Sequence, residues 1–359
     1  MKDRTVKESA LRATERKLMT LLQSQVGASV STGGGIQMLK SGTDINNVVK
    51  PGTYGINNYG TIIPFFVKGP GRLVATALGP NSPDVLWVLK NGDEVTSYNT
   101  HSIDVSILEN TSVYIFNIDT LEVGAGLVIG EDTTAGLIDF VDLPSCNILV
   151  FDKTRCTVKG SSDYFGNNLQ TLSLNSPTNE VPFSEVDDHT NDLINIERLN
   201  ISCNTAGTTS YNIIKGDVTI LDKLEELILK KVDLDNDLND WVLPKICELN
   251  GCPNLSADIG TWSWETSEST RLTVHNIPDV KGVLKTGLEY PESIIFRYCG
   301  FSKLDIERNI MVLADNLTST VESGTIEFSG MGTITNVEAL AAVSQLRTRG
   351  YTVVIDGLD

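Results

Sequence analysis

From about residue 143 onward, apolar residues alternate with polar ones in short bursts. Leu169-x-x-Leu172-x-Leu174 is followed by Ile196-x-x-Leu199-x-Ile201 and Leu224-x-x-Leu227-x-Leu229, with weaker copies at Leu272/Val274, Ile294/Phe296 and Ile326/Phe328. Leu172, Leu199, Leu227, Leu249, Leu272, Ile294 and Ile326 are spaced by 27, 28, 22, 23, 22 and 32 residues. Strict alternation predicts short strands with one face turned inward. One such unit cannot bury its apolar face alone, so neighbours must stack. Two apolar stretches near the end have helical spacing instead. Lys303–Thr320 carries Ile306, Ile310, Leu313 and Leu317, and Asn336–Arg349 carries Val337, Leu340, Val343 and Leu346. Gly350 then stops the second helix before a last strand, Tyr351 to Ile355.

Two of the copies also have the positions that follow the strand. Ile196-Leu199-Ile201 continues to Asn204 and Ala206, and Pro291-Ile294-Phe296 to Cys299 and Phe301. The series resembles a leucine-rich repeat, L-x-x-L-x-L-x-x-N/C-x-L. An Asn or Cys at the bend suits backbone groups buried where the chain turns away. The final helix and strand fit a terminal cap covering the last open face. That tail is similar to the C-terminal repeat of leucine-rich proteins from Bacteroides-type bacteria and their phages.

Residues 36–140 read as β structure. Turn signals at Pro51-Gly52, Asn57-Asn58, Gly69-Pro70-Gly71, Pro80-Asn81 and Asn91-Gly92 separate strand-like runs. The runs are Thr61–Val67, Leu73–Leu78, Val85–Leu89, Ile103–Leu108, Ser112–Ile118 and Gly126–Ile129. Asn91-Gly92, placed before Val95–Tyr98, predicts a type I′ hairpin. Ahead of these strands, residues 3–26 have helical spacing, with Val6, Leu11, Leu18 and Leu22 on the apolar stripe and basic residues flanking it. A Gly/Ser-rich run, residues 29–35, follows as a flexible linker. A tethered helix cannot bury its own stripe. It needs a partner, either further copies in a coiled coil or another protein, unless it packs on its own globular part.

The expected organisation is therefore mixed α and β. An N-terminal helix (1–28) and a linker (29–41) precede a small β domain (42–140) and a leucine-rich-repeat-like α/β solenoid with a C-terminal cap (141–359). With 359 residues and 40% apolar content, the chain has ample core. Its net charge of -18 opposes binding to a phosphate backbone, so nucleic acid is not an expected partner. No run approaches the ~20 apolar residues of a membrane span. No apolar stretch follows Met1-Lys2-Asp3-Arg4, so no signal peptide is expected. The six cysteines fall singly in apolar segments and read as reduced and buried.

Reactive constellations are scarce. The three histidines (101, 189 and 275) have no nucleophile pattern beside them, and no zinc-protease, nucleophile-elbow or P-loop motif is present. Gly124-Ala-Gly126-Leu-Val-Ile-Gly130 reads as a Gly-flanked strand. Asp233, Asp235 and Asp237 sit at the first, third and fifth positions of a calcium loop. Leu238 and Pro244 at its sixth and twelfth exclude an EF-hand, leaving only a weak surface calcium site open. Glu185, Asp187 and Asp188 sit on a polar loop with Pro182; paired carboxylates can serve glycoside hydrolysis, but nothing fixes their separation and the loop reads as a solvated acidic one. Trp262 and Trp264, with Trp241 nearby, suggest an aromatic binding surface on one strand face, with repeat packing as the alternative. No catalytic residue, cofactor or metal ligand is assigned.

Asp44-Ile45-Asn46-Asn47 followed by Pro51-Gly52-Thr53-Tyr54-Gly55-Ile56 resembles the opening of the pyocin-knob-type module of phage fibres, over roughly residues 42–98. Taken with the tethered helix and the repeats, the chain resembles a bacteriophage virion fibre or head-decoration protein of a crAss-like or other Bacteroides-infecting phage. The resemblance implies a homotrimer made in the host cytoplasm and carried on the virion. Residues 1–28 would dock on a capsid or tail protein, and the repeats would adhere to a host surface protein or glycan. A bacterial leucine-rich surface adhesin and a fibre-borne polysaccharide hydrolase are the other two readings.

Overall fold

The computed structural model describes residues 61–78, 85–91, 94–118, 126–130, 133–134, 137–140, 148–152, 157–159, 169–176, 195–203, 212–214, 218–234, 237–264, 271–288, 290–317 and 324–358. The predicted N-terminal helix with Val6, Leu11, Leu18 and Leu22, the linker, the knob-like opening motif, the full calcium-loop pattern and the acidic loop at 185–188 lie outside them.

Strands dominate. Those of the first half are β1 (Thr61–Lys68), β2 (Gly71–Leu78), β3 (Leu86–Asn91), β4 (Glu94–Asn99), β5 (Ser102–Ile107), β6 (Thr111–Ile118), β7 (Gly126–Ile129), β8 (Leu137–Phe140), β9 (Ile148–Asp152) and β10 (Thr157–Lys159). Next come β11 (Thr171–Ser176), β12 (Arg198–Cys203), β13 (Asn212–Ile214), β14 (Glu226–Lys230), β15 (Val232–Leu234), β16 (Val242–Leu243), β17 (Ile246–Asn250), β18 (Ala257–Asp258), β19 (Ser263–Trp264) and β20 (Arg271–His275). The last are β21 (Val280–Lys281), β22 (Ser293–Arg297), β23 (Gly324–Ser329) and β24 (Tyr351–Ile355), with helices α1 (Lys303–Asn316) and α2 (Val337–Thr348) after β22 and β23.

A largely parallel 12-stranded sheet runs in the order β24-β23-β22-β20-β17-β14-β12-β11-β9-β7-β2-β5, beside a smaller, mainly antiparallel six-stranded sheet, β10-β8-β1-β6-β3-β4. The large sheet crosses position 140 without a break. Gly126–Ile129 pairs in parallel with Ile148–Phe151, so strands from both sides of the expected boundary share one ladder. At that junction Gly126 has no room for a side chain, since a Cβ would lie 2.1 Å from the carbonyl oxygen of Ile148. The two sheets enclose one core, with Phe65, Val67, Trp87 and Val113 of the small sheet in the same cluster as Leu73, Ala75, Leu127 and Leu149 of the large one.

Along the ladder the inward positions form two columns. The first holds Leu149, Leu172, Leu199, Leu227, Cys247, Leu272, Ile294, Ile326 and Val353. Each of these is at most 5% exposed, as the predicted alternation requires. One copy is out of register with its expected place. Leu249 does not stack on Leu227 and Leu272; Cys247 does, and Leu249 occupies the second column between Leu229 and Val274. Both positions face inward because strand side chains repeat every two residues, and the smaller Cys had hidden the first.

The unequal spacing follows from the crossovers. Between β14 and β22 the chain returns through two- and three-residue strands and a 3-10 turn at Ile259–Thr261, whereas α1 and α2 fill the last two crossovers. Helix α1 starts at a capping box, in which Ser302 N–H donates to Asp305 Oδ2 at 3.0 Å and Asp305 N–H to Ser302 Oγ at 3.2 Å. It ends at Asn316, short of the expected Thr320, with Leu317 as its C-cap. Ile306, Ile310, Leu313 and Leu317 are buried, as expected. The face of α2 is shifted: Val337 is 80% exposed, and Ala339, Ala342, Val343 and Leu346 are buried. Asn336 caps α2 by accepting from the N–H groups of Glu338 and Ala339 at 2.7 and 3.2 Å, which leaves Val337 on the first, outer turn. Gly350 (φ 97°) stops the helix before β24. In the small sheet, Asn91 pairs with Glu94 and belongs to its strand rather than to the turn; the turn itself lies outside the described residues.

Candidate functional site: the outward face of the strand ladder

The residues between the inward columns form the outward face of the ladder. Its middle row includes Ser173, Asn200, Ile228, Glu248, Thr273, Ile295 and Glu327. Ion pairs cross-link neighbouring strands along this face. Glu248 on β17 receives Lys230 Nζ from β14 at 3.0 Å and Arg271 Nη2 from β20 at 2.8 Å. Further along, Arg297 on β22 grips Glu327 on β23 with both arms, Nε to Oε1 and Nη2 to Oε2, each at 2.6 Å. Ser329 Oγ adds a bond to Oε1 at 2.6 Å. The guanidinium holds the Glu327 carboxyl below the usual carboxylate range, against the opposing effect of partial burial. A carboxylate so held accepts hydrogen bonds and is a poor proton donor near neutral pH.

A second regularity lies one residue past five strands of the ladder. Lys231, Gly251, Asn276, Tyr298 and Gly330 directly follow β14, β17, β20, β22 and β23, and all have positive φ (55°, 65°, 57°, 51° and 73°). Their N–H groups continue the ladder: those of Lys231, Gly251, Asn276 and Tyr298 donate to the carbonyls of Asn250, His275, Arg297 and Ser329 at 2.7–2.9 Å. The left-handed conformation is thus a property of the repeating turn. Gly and Asn accept it readily, whereas a bulky residue there is uncommon and costs about 1 kcal/mol. Lys231 and Tyr298 both depart from this, and of the two the exposed one is Tyr298. It is 59% exposed, so burial offsets little of that cost. Its ring lies 5.6 Å from that of His275, tilted by 36°. Gly330 makes room for it, because a Cβ there would sit 2.3 Å from Tyr298 Cδ1.

The aromatic surface expected at Trp262 and Trp264 is corrected in part. Trp262 belongs to the core: it is fully buried, its Nε1–H donates to the carbonyl of Leu238 at 2.7 Å, and Trp241 meets its ring edge-on at 6.5 Å. The two rings do not share a strand face, because Trp262 precedes the two-residue β19 and caps the 3-10 turn. Trp264 is half-buried and packs edge-on against Tyr290 at 5.1 Å. Tyr298 carried no spacing signal of its own.

Cys247, Cys252 and Cys299 are free thiols. Cys252 and Cys299, each two residues past a strand, direct Sγ at the carbonyls of Leu229 and Val274; for Cys299 this is the contact with a bend carbonyl that the sequence suggests. A shallow groove of about 510 Å³ runs between residues 283–286 and α1, lined by Lys285, Arg308, Met311, Val312 and Asp315 among others. Among the described residues no group of three or more His, Cys, Asp or Glu side chains is placed to hold a metal ion, and no helix is long and apolar enough to cross a membrane. Comparison of the chain with family models, with curated proteins and with solved structures finds no match to any of them.

Proposed function

We propose that the chain is a non-enzymatic virion structural protein, a head fibre or tail fibre of a bacteriophage. In this reading residues 1–28 anchor a homotrimer to a capsid or tail protein. The parallel ladder with its crossovers is a leucine-rich-repeat-like solenoid, with α2 and β24 as its cap, and its outward face adheres to a host surface protein or glycan. The observation that carries the proposal is the outward face itself. It is broad, built on strands, and locked across neighbouring rungs by the Lys230–Glu248–Arg271 and Arg297–Glu327 pairs. Such a face meets a partner with its side chains already placed, so little conformational entropy is lost on contact. The cap is supported by contacts between the last helices. Glu307 of α1 accepts from the N–H groups of Thr335 and Asn336 at 2.9 and 3.0 Å, and Arg349 donates to the carbonyls of Ala314 and Leu317 at the far end of α1. Many copies on one particle raise effective concentration, so weak single contacts become firm adhesion.

Deleting residues 1–28 tests the anchor. The truncated chain is expected to be absent from purified particles while the isolated protein still adsorbs to host cells. Incorporation of the truncated chain at the normal copy number would refute the anchor, and failure of the full chain to adsorb would refute the adhesion reading.

A further inference from the structure

We propose that Tyr298, flanked by His275 and Arg297, is a stacking subsite for the pyranose ring of a neutral glycan; this rests on the adhesion reading above and names the chemistry of its ligand. Three observations converge. This turn position suits Gly or Asn, and Gly251, Asn276 and Gly330 provide them; Lys231 and Tyr298 do not, and of these two Tyr298 puts a large exposed ring there. That ring is 59% exposed, so it is not there to fill the core. Gly330 beside it leaves the space a side chain would take from the ring. The exposed part of the phenol ring can meet the polarised C–H groups that a pyranose face presents.

The surroundings supply hydroxyl partners without net charge. Arg297 is 45% exposed and commits two of its five N–H donors to Glu327, so three remain for sugar oxygens. Glu327 cancels its charge at 2.6 Å, which favours a neutral sugar over an acidic one. His275 is half-buried and Asn276 exposed, and both can donate or accept beside the ring. These groups sit on the three successive rungs β20, β22 and β23, so their spacing is set by strand pairing.

The test uses the full chain, its Tyr298→Gly and Tyr298→Phe variants, and an immobilised panel of neutral hexose and N-acetylhexosamine oligosaccharides, with thermal unfolding and adsorption to host cells measured in parallel. Wild type is expected to bind at least one panel member. Tyr298→Gly should bind it at least about tenfold more weakly. Its melting temperature should be unchanged or higher, because glycine relieves the left-handed strain. Tyr298→Phe keeps the ring and should bind within about threefold of wild type. Unchanged binding by Tyr298→Gly, or a clear drop in its melting temperature, would overturn the subsite. So would a wild type that binds no panel member. If cell adsorption persists in those cases, the adhesion reading stands and only the sugar platform falls; if the full chain does not adsorb at all, the adhesion reading itself has failed.

Discussion

Asn309, fully buried on α1, joins that helix to the crossover segment that follows β21. Its Oδ1 accepts from Leu284 N–H at 2.8 Å and its Nδ2 donates to the carbonyl of Gly282 at 3.0 Å. Asn309→Leu keeps the approximate volume and removes both bonds, leaving a backbone donor and a backbone acceptor unpaired. An unsatisfied buried group costs about 1–3 kcal/mol, so the two together, softened by local relaxation, should cost about 3 kcal/mol. Asn316→Ala is the control. Asn316 also bonds across, accepting from Gly287 N–H at 2.8 Å, but that contact is solvent-exposed and its loss should cost under about 1 kcal/mol. Hydrogen exchange read by mass spectrometry is the suitable assay, because it reports local opening in a chain of this size. Asn309→Leu should speed exchange in residues 282–286 and in α1 by about a hundredfold, while β11 and β12 exchange as before. Equal exchange in the two variants would show that this contact does not hold α1 in place.

Further outcomes follow from other parts of the structure. Asp356 accepts from the N–H groups of Gly330, Met331 and Gly332 at 2.8–3.0 Å, and these bonds hold its pKa below the ordinary 3.8. A depressed carboxylate contributes stability that is complete above its unfolded pKa and is lost as pH falls through the folded one. Acid titration from pH 5 downward should therefore destabilise the C-terminal rungs, where Glu307 and Glu327 are also lowered, and Asp356→Asn should flatten that slope; a slope unchanged in the variant would contradict the assignment. Gly126→Ala drives a Cβ into the Ile148 carbonyl and should destabilise the chain by about 1–3 kcal/mol in urea unfolding, with no loss counting against the junction between β7 and β9. Burial pushes the Cys299 thiol up to about 12 and raises that of Cys247 further, so neither should react with a thiol reagent at pH 7 until the chain is unfolded; prompt reaction in the native state would show the turns to be open.

The ladder was readable because strand periodicity leaves a plain trace: Leu172/Leu174, Leu199/Ile201 and Leu227/Leu229 all face the core as their alternation predicts. Register was harder to read, because a strand has two inward places. Cys247 and Leu249 both qualify, and only pairing with Leu227 and Leu272 decides between them. The face of α2 was misjudged for a related reason. Ala339 and Ala342 carry little hydrophobic signal yet occupy the buried side, whereas Val337 is apolar and exposed. Trp262 drew attention through its chemistry, but a large ring is as useful to the core as to a surface. Tyr298 was not visible because what marks it is its backbone. Nothing in Arg297-Tyr298-Cys299 announces a left-handed turn until the strand ladder fixes it. The continuity of the large sheet past residue 140 also depended on pairing, since β2, β5 and β7 alternate like any other strands.

Mixing the full chain with purified surface polysaccharide from bacteria of the proposed host group, then measuring both retention and polymer length, separates binding from turnover in one experiment. Retention on the polymer with its length unchanged and no new reducing ends is the outcome a passive displayed face requires. Shortened polymer with fresh reducing ends would show a hydrolase and end the non-enzymatic reading.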